Sequence, residues 1–420
     1  MRVPNKIDPR PLGAWSLLAL GLNGVIGVGI FFTPGLVAGL VPGRPGAWVY
    51  PLTAAVLGPV AAVYATLGRR FDSDGGPYVW ARAAFGAPAA FAVGWIAYVS
   101  AVLSTAAVVA GLGHALGAQM ALDERLVSLA AGGALMALTV LGLRPSARIW
   151  SALTVAKLLP LLLLVAAFAW RAPQPPPLVQ TPAAAGWGRA ILLAVFALQG
   201  FEIVPVPRGH ARGGARTVPL ATFGALALPA LLYAAIQAAC VGAVPDLAAL
   251  DAPLAAAAAA LGGARLGRIV ELGTDASAIG IAFGMAAMTP RYLAALSSDE
   301  TLGPTLGPWL RAETRGQVPA RALAVTALAI GLLVAGRGLA GLFVLSGLAV
   351  LIQYAASALS LARLAWSRAH GLRRRDAAWA PLSAAAVLLM LRAAQPGELA
   401  ILAGVLVVGL ALWTIGRRLA

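Results

Sequence analysis

Charge is what this sequence has least of. Only 11% of its 420 residues are Asp, Glu, Lys or Arg, against about 25% in soluble domains. With 60% of residues hydrophobic, that shortage excludes an ordinary soluble protein and points to a polytopic membrane protein embedded in a lipid bilayer. Cysteine is nearly missing too. Cys240 alone supports neither a disulfide framework nor a cysteine-rich metal site, and within an apolar run it reads as a small buried hydrophobe. The three histidines, His114, His210 and His370, are too scattered for ligand spacing, so no metal and no cofactor is expected. No span gathers a nucleophile, a base or a metal cluster, so an enzyme is not expected either.

The net charge of +16 does not describe a nucleic-acid surface, because the basic residues form no solid patch and are dealt out between apolar segments. That is the pattern of Lys and Arg accumulating in untranslocated loops. The N-terminal MRVPNKIDPRP is a short basic tail with no small-residue cleavage site after the first apolar run, so that run is expected to be a retained helix.

Charged residues, Pro and Gly divide the chain into apolar segments of membrane-spanning length, about 20 residues each. They lie near 14–40, 46–67, 88–116, 125–143, 148–170, 187–209, 218–244, 268–290, 319–336, 339–363, 378–394 and 398–416. The fold class predicted is an all-α integral membrane protein of twelve transmembrane helices. The Ala-rich run from Leu254 to Leu261 is too short to span and is assigned to an external loop helix. With the N-terminus inside, one set of loops carries Arg69, Arg70, Arg144, Arg148 and Arg373 to Arg375, and the other a thinner set including Arg44, Arg125, Arg265 and Arg337. That asymmetry predicts a multi-pass cell-membrane protein with both termini cytoplasmic. Between spans two and three, Gly68 to Gly86 (GRRFDSDGGPYVWARAAFG) reads either as an amphipathic segment at the cytoplasmic face or as a surface loop with a Trp and Tyr interface belt. Ser297 to Pro319, polar and rich in Pro and Gly, reads as a simple cytoplasmic connection.

Two spans are interrupted. Gly21 to Gly35, GLNGVIGVGIFFTPG, puts five glycines into the first span, which permits an unwound backbone at mid-depth. Asn23 lies just before the break, where it can cap the unwound turn or line a pathway. The sixth span carries Gln199, Gly200 and Glu202 at its midpoint, with Pro205 and Pro207 just beyond. A carboxylate at the centre of a spanning helix costs about 2.5–3.5 kcal/mol on insertion scales, and each proline removes a backbone donor. One glycine alone would read as close helix packing. Two interruptions in corresponding members of two inverted halves point instead to a transporter's midplane binding site. The halves are 1–170 (spans one to five) and 171–376 (spans six to ten), with 377–420 holding two additional helices. Free N–H groups around Gly27, Val28 and Gly29 suit a carboxylate. Freed carbonyls around Phe196, Ala197 and Gln199 suit an ammonium, and a small molecule carrying both groups is an amino acid.

Together, Gly27-Val28-Gly29-Ile30-Phe31, Gly75-Gly76-Pro77-Tyr78 followed by Ala81-Arg82 and Phe85-Gly86, Phe196 to Glu202, and Lys157 in span five resemble the amino acid-polyamine-organocation (APC) transporter superfamily through about ten spans. The resemblance implies a five-plus-five inverted repeat with discontinuous helices one and six, followed by two extra helices. It assigns Gly27, Val28 and Gly29 to the substrate carboxylate, Phe196, Ala197 and Gln199 to the amino group, and Phe201 and Glu202 to gating. One departure is His210, which stands where similar proteins carry an acidic residue; it reads either as a solvated loop residue or as a group that makes the cytoplasmic gate pH-sensitive.

Lys6 and Lys157 are the only lysines among the 31 basic residues. Arg stays protonated, whereas a desolvated Lys can lose its proton, so Lys157 in the middle of VAKLLPLLLLVAA suits a titrating group. Snorkelling to the interface is the bland alternative. The resemblance favours proton coupling, since proton-dependent relatives place such a lysine where sodium-coupled ones hold their ion. In span eight, Glu271 and Asp275 share one helical face. Glu271 lies near the external end. Asp275 is deeper and stands open to substrate contact, pairing with Lys157 or proton movement, and with Thr274 and Ser277 nearby a sodium site stays open as well. Gln237 and Gln353 are interhelical hydrogen-bond candidates. The function expected is secondary active transport of amino acids by alternating access, proton-coupled as symport or antiport. The alternative is a polyamine or cationic amino acid exchanger that uses Glu202, Glu271 and Asp275. A subunit covalently linked to a partner would need an exposed cysteine, and Cys240 lies mid-span.

Overall fold

The computed structural model describes residues 13–71, 75–140, 147–171, 184–205, 214–297, 302–314 and 318–419. Among the described residues every regular element is helical: α1 (Ala14–Val25), α2 (Gly29–Leu40), α3 (Val49–Gly68), α4 (Pro77–Phe85), α5 (Ala87–Met120), α6 (Glu124–Val140), α7 (Ala147–Arg171), α8 (Ala184–Leu198), α9 (Gly214–Ala243), α10 (Pro253–Gly262), α11 (Ala264–Leu296), α12 (Gly303–Arg311), α13 (Ala320–Gly336), α14 (Leu339–Trp366), α15 (Trp379–Leu391) and α16 (Pro396–Leu419), with short 3-10 turns between some of them. Among the described residues, six helices are long and apolar enough to cross a membrane: α3 with its leading turn, α5, most of α9, α11, α14 and most of α16. The pair α1 and α2, bent by 53°, makes a seventh. The other expected spans fall on α6, α7, α8, α13 and α15, outside that set. The N-terminal tail and the segment containing Pro207 and His210 lie outside the described residues.

Two loop expectations are refined. The segment after Gly76 is a nine-residue helix, α4, with one buried face, and not a surface loop with an aromatic interface belt. It packs on α5 and α14, burying Trp80 edge-on to Tyr64 at 5.1 Å and leaving Arg82 exposed. The tryptophan belongs to the core because Trp80 and Ala81 share the helix face turned inward. The segment 297–319 is likewise not a bare connection. It contains α12, whose Trp309 ring lies under the Arg321 guanidinium at 5.2 Å.

The break between α1 and α2 shows how an interrupted helix is held in a place where stray backbone groups find no water. Helical bonding on the α1 side ends with the Ile26 N–H on the Leu22 carbonyl at 2.9 Å. Carbonyls beyond that point need other donors. The Lys157 ammonium donates to Asn23 O at 3.0 Å, and the Tyr233 hydroxyl donates to Val25 O at 3.0 Å. On the α2 side, Gln237 Nε2 donates to Pro34 O at 3.2 Å. Tyr50 donates to Gln237 Oε1 at 3.4 Å, which leaves Thr33 to donate to Tyr50 at 3.0 Å. Tyr50 and Tyr233 meet edge to face, with ring centroids 5.6 Å apart. Tyr233 and Gln237 sit one turn apart on α9, so a single helix grips both halves of the broken one. Thr33, Tyr50, Tyr233 and Gln237 are all fully buried.

Removing one hydroxyl tests this clamp. Tyr233→Phe keeps the ring contact with Tyr50 and deletes only the donor to Val25 O, a loss of about 1 kcal/mol for an interhelical bond of this kind. Thermal melts of the purified variant should fall accordingly, and hydrogen exchange should rise in the peptide spanning the break. A variant that melts and exchanges like the parent protein would show that the clamp does not hold the break.

Candidate functional site

The second break adjoins the first. α8 ends at Leu198, and Gly200 turns the chain with φ of 123°. A side chain there would be strained by that angle, and its Cβ would lie 2.5 Å from the Gly24 carbonyl carbon. The two interrupted helices therefore cross backbone on backbone. Glu202 closes the turn by accepting the Gly200 N–H through Oε2 at 2.6 Å, and the Ile203 N–H returns to Gly200 O at 3.2 Å. A second close approach lies one turn further along, where a Cβ on Gly29 would stand 3.0 Å from Ala197 Cα.

A cavity of about 600 Å³ opens at this crossing. Gly27, Val28 and Gly29 line it from one break, and Phe196, Ala197, Gln199, Gly200 and Glu202 from the other. The start of α2 presents N–H groups without helical acceptors and the end of α8 presents carbonyls without helical donors, so the cavity wall is polarised positive on one side and negative on the other. The remaining wall comes from Ser100, Ser104 and Val108 of α5, Ile281 and Met285 of α11, and Val350 of α14. The cavity continues past Gln353 to Gly75, Pro77 and Tyr78, and to Tyr292 and Leu296 at the far end of α11.

Among the described residues, each site residue singled out in the sequence has a definite place. Phe196 stacks on Phe343 with centroids 4.2 Å apart. The Gln199 amide donates to Ser346 Oγ at 3.0 Å and Ser104 Oγ at 3.4 Å, and those hydroxyls are 2.6 Å from each other. That side chain is locked into α5 and α14. Phe201 does not line the cavity. It is fully buried behind the wall against Tyr64 and Tyr354. Lys157, 4% exposed, reaches the break from outside the cavity lining through Asn23 O. Asp275 lies elsewhere, in a recess of about 250 Å³ with Phe31, Phe32, Gln119, Asp251 and Glu271. Gln119 Nε2 donates to both its carboxylate oxygens, at 3.1 and 2.9 Å, and no ion pair joins it to Lys157. Glu271 pairs with Arg268 at 2.7 Å.

Sequence reading missed several groups at the cavity. Ser104, on the cavity wall, carried a usable signal as a hydroxyl in an otherwise apolar span, as did Ser346, which is buried behind Gln199 and outside the lining. Tyr78 belongs to the Gly75-Gly76-Pro77-Tyr78 motif, and nothing in the sequence sets Tyr292 apart. Gln353 was noted for helix packing and does bond Tyr64 at 3.2 Å, while also facing the cavity.

Residues 12–411 match the profile of the amino acid permease family. An uncharacterized transporter of Mycobacterium tuberculosis is 29% identical over 373 residues, covering 86% of this chain and 82% of that protein. A branched-chain amino acid permease of Bacillus subtilis is 26% identical over 324 residues, 69% of this chain and 67% of the relative. An L-methionine/branched-chain amino acid exporter of Escherichia coli is 33% identical over a shorter 87 residues, 21% of each chain. The family match runs over nearly the whole length of a helical, cavity-bearing chain, and this protein belongs to the amino acid permease family, as a transporter of the APC superfamily.

Proposed function

We propose that the protein is a secondary active transporter of neutral, aliphatic amino acids that works by alternating access around the cavity between the two breaks. The observation that carries this reading is the meeting of two oppositely polarised helix ends on one cavity with an otherwise largely apolar wall. The substrate carboxylate sits on the N–H groups of Gly27, Val28 and Gly29, its ammonium on the carbonyls of Phe196, Ala197 and Gln199, and its side chain against Ile281, Met285 and Val350. The names of the Bacillus and Escherichia relatives support the branched-chain and methionine size range. A polyamine or cationic substrate is less well supported, since among the described residues Glu202 is the one carboxylate on the cavity and it already accepts the Gly200 N–H.

The proposed topology is twelve spans in a five-plus-five inverted repeat, divided at 1–170, 171–376 and 377–420, with both termini cytoplasmic. In that frame the cavity's extension toward Tyr78 and Tyr292 makes this the inward-open state, with Glu202 on the exit side as the gating residue. Phe201 serves the gate only as packing behind it. Lys157 is the proton-coupling group, because its bond to Asn23 O ties its protonation to the helix end beside the substrate carboxylate. Asp275, held by Gln119 in its own recess, is left out of that role.

Uptake of labelled L-leucine into proteoliposomes, with and without an inward proton gradient, is the direct test. Uptake should rise with the gradient, and a transported substrate that ignores it would sink the coupling. Lys157→Arg preserves the positive charge and removes titration, so its uptake should lose the gradient response; an unchanged pH profile would make the lysine structural.

The two cavity glycines should separate in a binding assay. Gly29→Val drives into Ala197 and should weaken both leucine binding and thermal stability. At Gly27 an added Cβ meets nothing closer than 3.7 Å and takes room from the cavity instead. Gly27→Val should therefore lose about tenfold or more in affinity at little cost in stability, and normal binding by that variant would remove the carboxylate from this position.

A further inference from the structure

The turn from α14 into α15 concentrates positive charge in a way the transport site does not use. Arg363, Arg368 and Arg373 to Arg375 are all exposed. Within the turn itself, Asp376 accepts the backbone N–H of Arg373 at 2.8 Å and is committed to shaping the turn. The Arg374 guanidinium lies 4.9 Å from the centre of the Trp366 ring, and Trp366 is itself 68% exposed. An exposed tryptophan paired with arginine at the end of a spanning helix marks the level of lipid headgroups.

The turn is also built to a fixed shape. Arg368 and His370 both adopt left-handed backbone angles, with φ of 55° and 51°, a conformation non-glycine residues rarely hold unless their surroundings impose it. Two contacts impose it here. The His370 ring stacks on Phe71, just beyond α3, at 4.3 Å, and Leu372 is buried. Arg70 adds its own charge, its guanidinium lying 3.2 Å from the point where a Cβ on Gly371 would stand. Positive-inside topology explains why arginines lie on this side of the membrane, but it requires no particular shape of the loop that carries them. Here a strained turn is pinned at two points and holds its guanidinium groups on a rigid frame.

We propose that this turn is a docking site for the phosphate groups of anionic phospholipids in the cytoplasmic leaflet. Guanidinium forks match phosphate oxygens in pairs, and juxtamembrane basic clusters are drawn to an anionic leaflet within a Debye length of its surface. Because the turn bridges the ends of α14 and α15 and leans on the end of α3, a bound headgroup fastens those helix ends together and stabilises the folded protein.

The test is thermal unfolding of the purified full chain in nanodiscs of phosphatidylcholine alone and of phosphatidylcholine mixed with phosphatidylglycerol. Each protein is compared with itself between the two lipids, so any change in basal stability cancels. Phosphatidylglycerol should raise the melting temperature of the parent protein, and the gain should shrink at high salt. R373Q/R374Q/R375Q should lose most of the gain, while R265Q/R268Q, on the far end of the molecule, should keep it. The proposal is overturned if the parent protein gains nothing, if the triple variant gains as much as the parent, or if inorganic phosphate in phosphatidylcholine nanodiscs reproduces the whole effect.

Discussion

A helix interrupted inside a membrane must find partners for every backbone group it frees, because each one left bare in hydrocarbon costs several kcal/mol. The rest of this structure follows from how that requirement is met at Val25 to Gly29, and it is met unequally. The freed carbonyls have named protein donors in Lys157 and Tyr233, and Gln237 adds a third donor on the far side of the break. The N–H groups at the start of α2 face a cavity instead. In the proposed reading, satisfying the acceptors from within the protein and leaving the donors to a ligand gives the site its sign. A break with both sides satisfied would bind nothing, and one with both sides open would not be stable.

At the second break the solution is local. Glu202 reaches back two residues to cap Gly200, so this helix needs no partner to supply its missing acceptor. What it does need is the other break, since Gly200 fits only against the bare backbone of Gly24. The two interruptions are interlocked, and a shift of α1 cannot occur without disturbing the carboxylate-capped turn. A change in how Lys157 holds Asn23 would therefore be transmitted to Glu202 through two residue contacts, a short physical route between the proposed coupling group and the proposed gate.

How much of this was legible depends on the kind of signal. Glycine clusters, a mid-span carboxylate and a lone lysine among arginines stand out against an apolar background, and they marked both breaks and Lys157. Side-chain direction was not legible. In soluble helices polar and apolar faces separate, but here lipid-facing and protein-facing surfaces are equally apolar. Nothing in the sequence told Trp80, buried against Tyr64, from Trp170, which is 90% exposed. The same blindness hid that Phe201 faces away from the cavity and that Asp275 belongs to another recess. Gln237 was recognised as a helix-helix contact, but that its partner would be the broken helix depends on how α3 and α9 pack around α2, which no local pattern records.

That other recess gives the first turns of α2 a double use. Val28 and Gly29 line the cavity, while Phe31 and Phe32, two or three residues on, line the recess containing Asp275. Phe32 meets the His114 ring edge-on at 5.6 Å, and His114 in turn bonds Glu124 at 2.7 Å and Asp251 O at 3.2 Å. A single helical turn thus separates the cavity from the recess, and that turn carries the N–H groups proposed to hold the substrate. An anion drawing on those groups pulls on the partition itself. In the proposed alternating-access reading, substrate binding and closure of the recess need no long-range relay, because both would act on the same few residues of α2.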